Sequence, residues 1–227
     1  MERQSIRVLI LWVMLLTVAA GFAAFTEAHP ILGQTDVMID VGHGGIDSGT
    51  KYGNLDEKDL NLQIAKLTYE NLHKQGLAVL INRVDDYALS DENKWLRSYS
   101  RHRKDLAQRT HLANEVKPKA VISLHINWSP KPYKKGPLVL YQRNPQSILL
   151  AQLLQKQLND ACGTSELPVY GKPYYLLNHS KAPSVIVELG FITNEEDRTR
   201  LTTPQGQRLL ADRIAAGVRQ YLILKNR

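Results

Sequence analysis

The chain has 227 residues, 43% of them hydrophobic and 22% charged, with a formal charge of +7 and a single cysteine, Cys162. That composition excludes general disorder, the length suits one well-buried domain rather than two, and one cysteine excludes an intrachain disulfide. Lys and Arg are scattered without a helix-turn-helix or RNP pattern, so the basic surplus points away from nucleic acid and toward an anionic wall polymer, an acidic lipid or a solvated surface.

Arg3 and Arg7 precede Val8–Phe25, an uncharged run of 18 residues rich in Leu, Val and Ala. A positive start followed by an apolar core is an export signal, and 18 residues also just suffice to cross a bilayer. Residues 1–30 are therefore expected to be a cleaved signal peptide or an uncleaved anchor, and residues 31–227 the exported domain, which touches membrane only through that segment. Arg3 and Arg7 cancel Glu2 and Glu27, so the exported part keeps the positive surplus.

Val37–Val41 predicts a buried strand ending in the loop Gly42-His43-Gly44-Gly45. Leu55–Leu60 opens a helix continued at helical spacing by Leu62, Ile64, Ala65, Leu67, Tyr69 and Leu72, until Gly76 stops it. Leu77–Ile81 is the next strand, completing a βαβ unit with parallel strands. Val84–Arg103 is polar and irregular; Lys104–Val116 predicts a helix and Ala120–His125 a strand ending in histidine. A loop, Lys131–Pro137, leads to a short strand at Leu138–Tyr141 and an amphipathic helix at Ser147–Cys162. Tyr174–Leu177 and Val185–Leu189 read as strands, the second carrying Glu188, and Asn194–Leu201 and Gln205–Leu224 as helices. The fold class is α/β: one domain with a mostly parallel twisted sheet flanked by helices.

Three strands thus end in His43, His125 and Glu188, at the carboxyl edge where open parallel sheets place their chemistry. Glu57, at the start of the helix after the His43 loop, falls at the same edge. Two histidines and a carboxylate form a familiar zinc donor set, and a further carboxylate could carry a proton between water and a leaving amine. Residue chemistry alone leaves Glu57 and Glu188 interchangeable between these roles. No GxGxxG, Gly-Lys-Ser/Thr loop or Gly-x-Ser-x-Gly elbow is present, which argues against nucleotide binding and serine hydrolysis. Among the other histidines, His179 is the best pocket candidate because it follows an expected strand. Trp95, Trp128 and Tyr133 lie in loops from which they could stack on sugars.

Asp40-Val41-Gly42-His43-Gly44-Gly45, Glu57-Lys58-Asp59, Arg109 with Ala113-Asn114, Ser123–Asn127 and Val187–Asn194 occur in one order. With them the chain resembles the zinc-dependent N-acetylmuramoyl-L-alanine amidases of the amidase-3 type, from about Val37 to Tyr221. The resemblance implies one Zn2+ held by His43, Glu57 and His125, Glu188 as catalytic acid/base, and cleavage between N-acetylmuramic acid and L-alanine of peptidoglycan. Gly44, Gly45, Asn127 and Arg109 become candidates for contacts to substrate or behind the ligands. Val41 stands where the family usually has proline. The stretch Arg97–Arg109 is longer than the family norm and is similar to that of the sporulation and germination amidases, whose action lets muramic δ-lactam form in spore cortex. That likeness implies a role at the forespore envelope, with an activator protein or a deacetylase acting on the same glycan as partner. Two other readings stay open: another zinc peptidase, such as a carboxypeptidase acting on wall peptides, and a non-catalytic peptidoglycan-binding protein with a relic site.

Overall fold

A computed structural model describes residues 34–225, so the expected export segment lies outside the described residues. Among them, no helix is long and apolar enough to cross a membrane. The chain runs β1 (Val37–Val41), β2 (Lys51–Tyr52), β3 (Leu55–Asp56), α1 (Glu57–Lys74), β4 (Val79–Ile81), a 3-10 turn (Leu89–Asp91), α2 (Arg101–Val116) and β5 (Ala120–Asn127). It continues with β6 (Leu138–Tyr141), α3 (Pro145–Cys162), β7 (Val169–Tyr170), α4 (Tyr175–His179), β8 (Ser184–Phe191), α5 (Glu195–Thr202) and α6 (Pro204–Lys225).

The main sheet has the order β4-β1-β5-β8-β6-β7, with β2 and β3 forming a separate two-stranded ribbon. β4, β1, β5 and β8 are parallel neighbours, as the βαβ spacing requires, while β6 lies antiparallel to β8. The central strands β1, β5 and β8 are buried almost throughout, which explains their near-continuous apolar sequences.

Strand alternation divides labour between the two faces. One carries Val37, Ile39, Val41, Ile122, Leu124, Val139, Val185 and Val187 into the main core with α1, α3 and α6. On the other, Met38 and Val121 pack with Ala113 of α2 and Leu176 of α4, and Leu140 and Ile186 with Leu177. The period of two then places Asp40, Ser123, His125 and Glu188 on this second face, closer to the carboxyl ends of the strands.

Helix starts follow local chemistry: Ser100 caps α2 and Asn144 caps α3, where Pro145 occupies the first turn. The expected strand at Tyr174–Leu177 is instead the start of α4, and the edge strand is Val169–Tyr170. Four apolar residues have no decisive period, and Leu176 and Leu177 reach separate clusters from adjacent positions of a helical turn.

Candidate metal centre and proton carrier

His43 follows β1 in the left-handed region, φ 61°, and turns its ring toward the sheet edge. Its Nδ1 lies 2.8 Å from Asp47 Oδ2, which leaves Nε2 facing Glu57 Oε1 at 3.2 Å. Glu57, the first residue of α1 and 3% exposed, meets His125 Nδ1 with the same oxygen at 3.1 Å. The His43 and His125 rings stand edge to face, centroids 4.9 Å apart. One donor atom from each of His43, Glu57 and His125 falls within 4.8 Å of the others, so these three residues could hold a metal ion.

Backbone and side-chain donors aim the Glu57 carboxylate: Ile126 N–H donates to Oε1 and Thr50 N–H to Oε2, both at 2.8 Å, and Asn61 Nδ2 donates to Oε1 at 3.3 Å. Gly49 makes the arrangement sterically possible. Its φ is +66°, and a Cβ there would stand 2.5 Å from Glu57 Oε2 and 2.6 Å from His43 Cδ2.

Against the burial that opposes ionisation, hydrogen bonds from His125 and His43 hold Glu57 well below the carboxylate range. Burial likewise disfavours the His43 imidazolium, yet Asp47 and Glu57 push His43 up to about 9. Asp47, hydrogen-bonded to His43, is lowered to about 2. The cluster is thus a negative field around histidine nitrogens, organised to receive a cation. With imidazole nitrogens and an ionised carboxylate as donors, the residues fit a borderline-soft divalent metal such as zinc.

Glu188 is different. It sits beside His125 in the β5–β8 register, 8% exposed, and its Oε2 is buried without a hydrogen-bond partner among the described residues. Burial raises its pKa, the nearby histidines oppose that shift, and the Glu57 charge adds to it. A carboxyl with a free buried oxygen and a raised pKa is suited to taking up and releasing a proton.

The loop bearing His43 is gripped from below by two buried guanidiniums. Arg109 on α2 donates to Asp105 Oδ2 (2.5 Å), Asp40 Oδ1 (2.8 Å), the Val41 carbonyl (2.5 Å) and the His43 carbonyl (2.7 Å). Arg83 donates to the carbonyls of Val41, Gly42, Lys58 and Asp85 at 2.8–3.3 Å. Asp40, below the loop, also accepts from Asn82 and Ser123. Arg109 is therefore enclosed at 3% exposure, where it holds the His43 backbone and is shut off from substrate.

The other candidates fall in less direct places. Gly44 and Gly45 back onto Tyr87 and Ala88, whose backbone atoms a Cβ would meet at 2.3 and 2.9 Å, so they seat the loop on its neighbour. Asn127 Oδ1 accepts from Trp128 N–H at 2.8 Å, a turn-stabilising contact. His179 ends α4, exposed, stacked on Tyr175 with Nδ1 2.9 Å from the Tyr175 carbonyl. Trp95, Trp128 and Tyr133 are exposed, and Trp95 packs on His111. Sequence reasoning missed Asp47, Gly49 and Arg83; for Asp47, its place four residues after a ligand histidine was the available signal.

An α/β sheet thus gathers two histidines, a buried glutamate and a second glutamate at one edge, an arrangement that could serve a hydrolase. A family model described as N-acetylmuramoyl-L-alanine amidase matches residues 37–220, and the chain belongs to that family. The chain is 30% identical over 192 residues to the germination-specific N-acetylmuramoyl-L-alanine amidase of Bacillus subtilis, covering 83% of this chain and 80% of that one. It is 33% identical to YqiI of the same organism, covering 86% of this chain and 87% of the relative. The CwlD amidase of Clostridioides difficile, solved in complex with the GerS lipoprotein, superposes with a TM-score of 0.78 at 27% identity, over 84% of this chain and 99% of that one.

Proposed function

We propose that this amidase is zinc-dependent, with His43, Glu57 and His125 as the metal ligands and Glu188 as the acid/base. The observation that carries the reading is the buried Oε2 of Glu188, without a hydrogen-bond partner among the described residues, beside three converging ligand atoms. When bound, zinc would supply Lewis-acid chemistry, polarising the lactyl carbonyl and acidifying water. The protein's residues do the rest. Asp47 fixes the His43 tautomer through Nδ1, and the Ile126 and Thr50 amides hold Glu57 in place. Glu188 accepts the proton of the attacking water and passes it to the departing alanine nitrogen, and its burial keeps its proton affinity high enough for both steps.

The likeness to a germination-specific amidase and to CwlD supports a finer reading: action outside the cytoplasm on peptidoglycan, in spore-cortex maturation leading to muramic δ-lactam. A lipoprotein or other activator, and a deacetylase working on the same glycan, are the partners that reading implies. Membership in the amidase family favours it over a carboxypeptidase, and the complete His43, Glu57, His125 and Glu188 set favours it over a relic site.

Mass spectrometry of muropeptides after digestion tests the proposal. Stem peptides with a free L-alanine amino terminus are expected, with none formed after chelation and activity restored by zinc. Glu188→Gln should retain zinc and lose turnover by about 100-fold or more. Trimming from the peptide's carboxyl end, or undiminished turnover in that variant, would refute it.

A further inference from the structure

A groove of about 450 Å3 is lined, among others, by Lys134, Gly136, Leu138, Ser165, Glu166 and Phe191. Two of these residues tie it to the strand of the proton carrier. Leu138 is the antiparallel cross-strand partner of Glu188, and such partners share a face with Cβ atoms about 5 Å apart. Phe191 closes the same strand three residues after Glu188. The walls are tied together by buried Asp197, whose Oδ2 accepts from Gly136 N–H at 2.7 Å and Phe191 N–H at 2.8 Å. The volume falls within the range of small-ligand sites.

Its rim is charged. Lys135 is paired with Glu196 at 2.6 Å, whereas Lys134 has no ion-pair partner among the described residues and stands exposed beside the groove. Glu166 faces it from the other rim; its backbone carbonyl accepts from Asn159, and its carboxylate makes no ion pair among the described residues.

We infer that this groove seats the peptide half of the substrate, with Leu138 and Phe191 against its first, apolar residue and Lys134 on a peptide carboxylate beyond it. The inference rests on Glu188 being the group that protonates the leaving nitrogen. That nitrogen must lie against Glu188 when the amide bond breaks, so the peptide attached to it leaves along Glu188's own flank of the sheet. The groove begins one strand away on that flank and offers an apolar floor followed by an unpaired cation, in the order an acidic peptide with a small first residue presents. Glu166 would meet a free side-chain amine of such a peptide.

The test compares two soluble substrates: a muramoyl peptide with its downstream carboxylates free, and muramoyl-L-alanine methylamide, which ends at the first residue. Lys134→Glu should lower the ratio of kcat/KM for long over short substrate about fivefold or more, through KM for the long one. Ser165→Trp, which fills the groove, should lower the same ratio, and the control Lys156→Glu on α3 should leave it unchanged. A ratio unaltered by both groove variants, or altered equally by the control, overturns the proposal. Calorimetry with the free stem peptide and the Glu188→Gln protein gives a readout independent of turnover: binding weakened by Lys134→Glu supports the groove, and equal binding overturns it. If Glu188→Gln releases peptide from both substrates as fast as the wild type, the assignment of Glu188 fails instead, while the calorimetric result still decides the groove.

Discussion

Replacing Arg109 with methionine removes a guanidinium that serves two carboxylates and two carbonyls at once. The methionine fills much of the volume, so the cost is electrostatic rather than a cavity. Asp40, 2% exposed, keeps its Asn82 and Ser123 donors but loses its only ion pair among the described residues, and Asp105 loses its partner too. Breaking a buried pair on one side costs about 3–5 kcal/mol, a large share of the 5–15 kcal/mol that holds a domain together. Asp40→Asn on the same background removes the uncompensated charge, so the double variant should recover about 1–3 kcal/mol relative to the sum of the singles. Urea unfolding of chelator-treated protein at low temperature measures all three variants without a metal contribution. A loss below about 1 kcal/mol for Arg109→Met, or strict additivity in the double variant, would show that the Asp40–Arg109 pair does not hold the loop.

Other perturbations reach the site by different routes. Gly49→Ala forces a Cβ toward Glu57 and His43 at a positive φ; zinc affinity measured by chelator competition should fall about tenfold or more, with about 1–2 kcal/mol of stability lost. Zinc at 100 times its dissociation constant should stabilise the fold by about 2.7 kcal/mol, seen as a melting temperature that drops on chelation, whereas His125→Ala should remove most of that zinc-dependent shift. Burial opposes ionisation of Asp40, but Arg109 and Ser123 hold its folded pKa below the ordinary aspartate value. Its stabilisation is therefore complete above that value and is lost as pH falls through the lower folded one, so Asp40→Asn should flatten the acid limb of a stability–pH curve.

The convergence of His43, Glu57, His125 and Glu188 was legible because each ends a strand or opens a helix, and chain direction alone brings those ends together. His43, His125 and Glu188 follow apolar runs whose burial sets their direction, and Glu57 follows from the length of the βα connection. What the sequence does not display is contact across it. Arg83 looks like an ordinary surface cation, and Arg109 reads equally as a contact to substrate or behind the ligands, until the backbone carbonyls of residues 41–43 are seen ending on them. Gly44 and Gly45 are candidates for contacts to substrate or behind the ligands, but the space they save is taken by Tyr87 and Ala88. The Tyr174–Leu177 segment misled for a related reason: its two buried leucines satisfy two small clusters that only the folded chain places on either side of it.

Because His125 and Glu188 share a face with Asp40 and Ser123, the site carries a parity constraint. Deleting one residue within β8 upstream of Glu188 would rotate the carboxylate into the layer occupied by Val185 and Val187, among α1, α3 and α6. Deleting two would restore its side of the sheet at the cost of a strand shorter by one repeat. Length variation in these strands should therefore be tolerated in even steps, whereas the mostly exposed stretch 94–99 ahead of α2, which feeds no residue into the alternation, carries no such restriction.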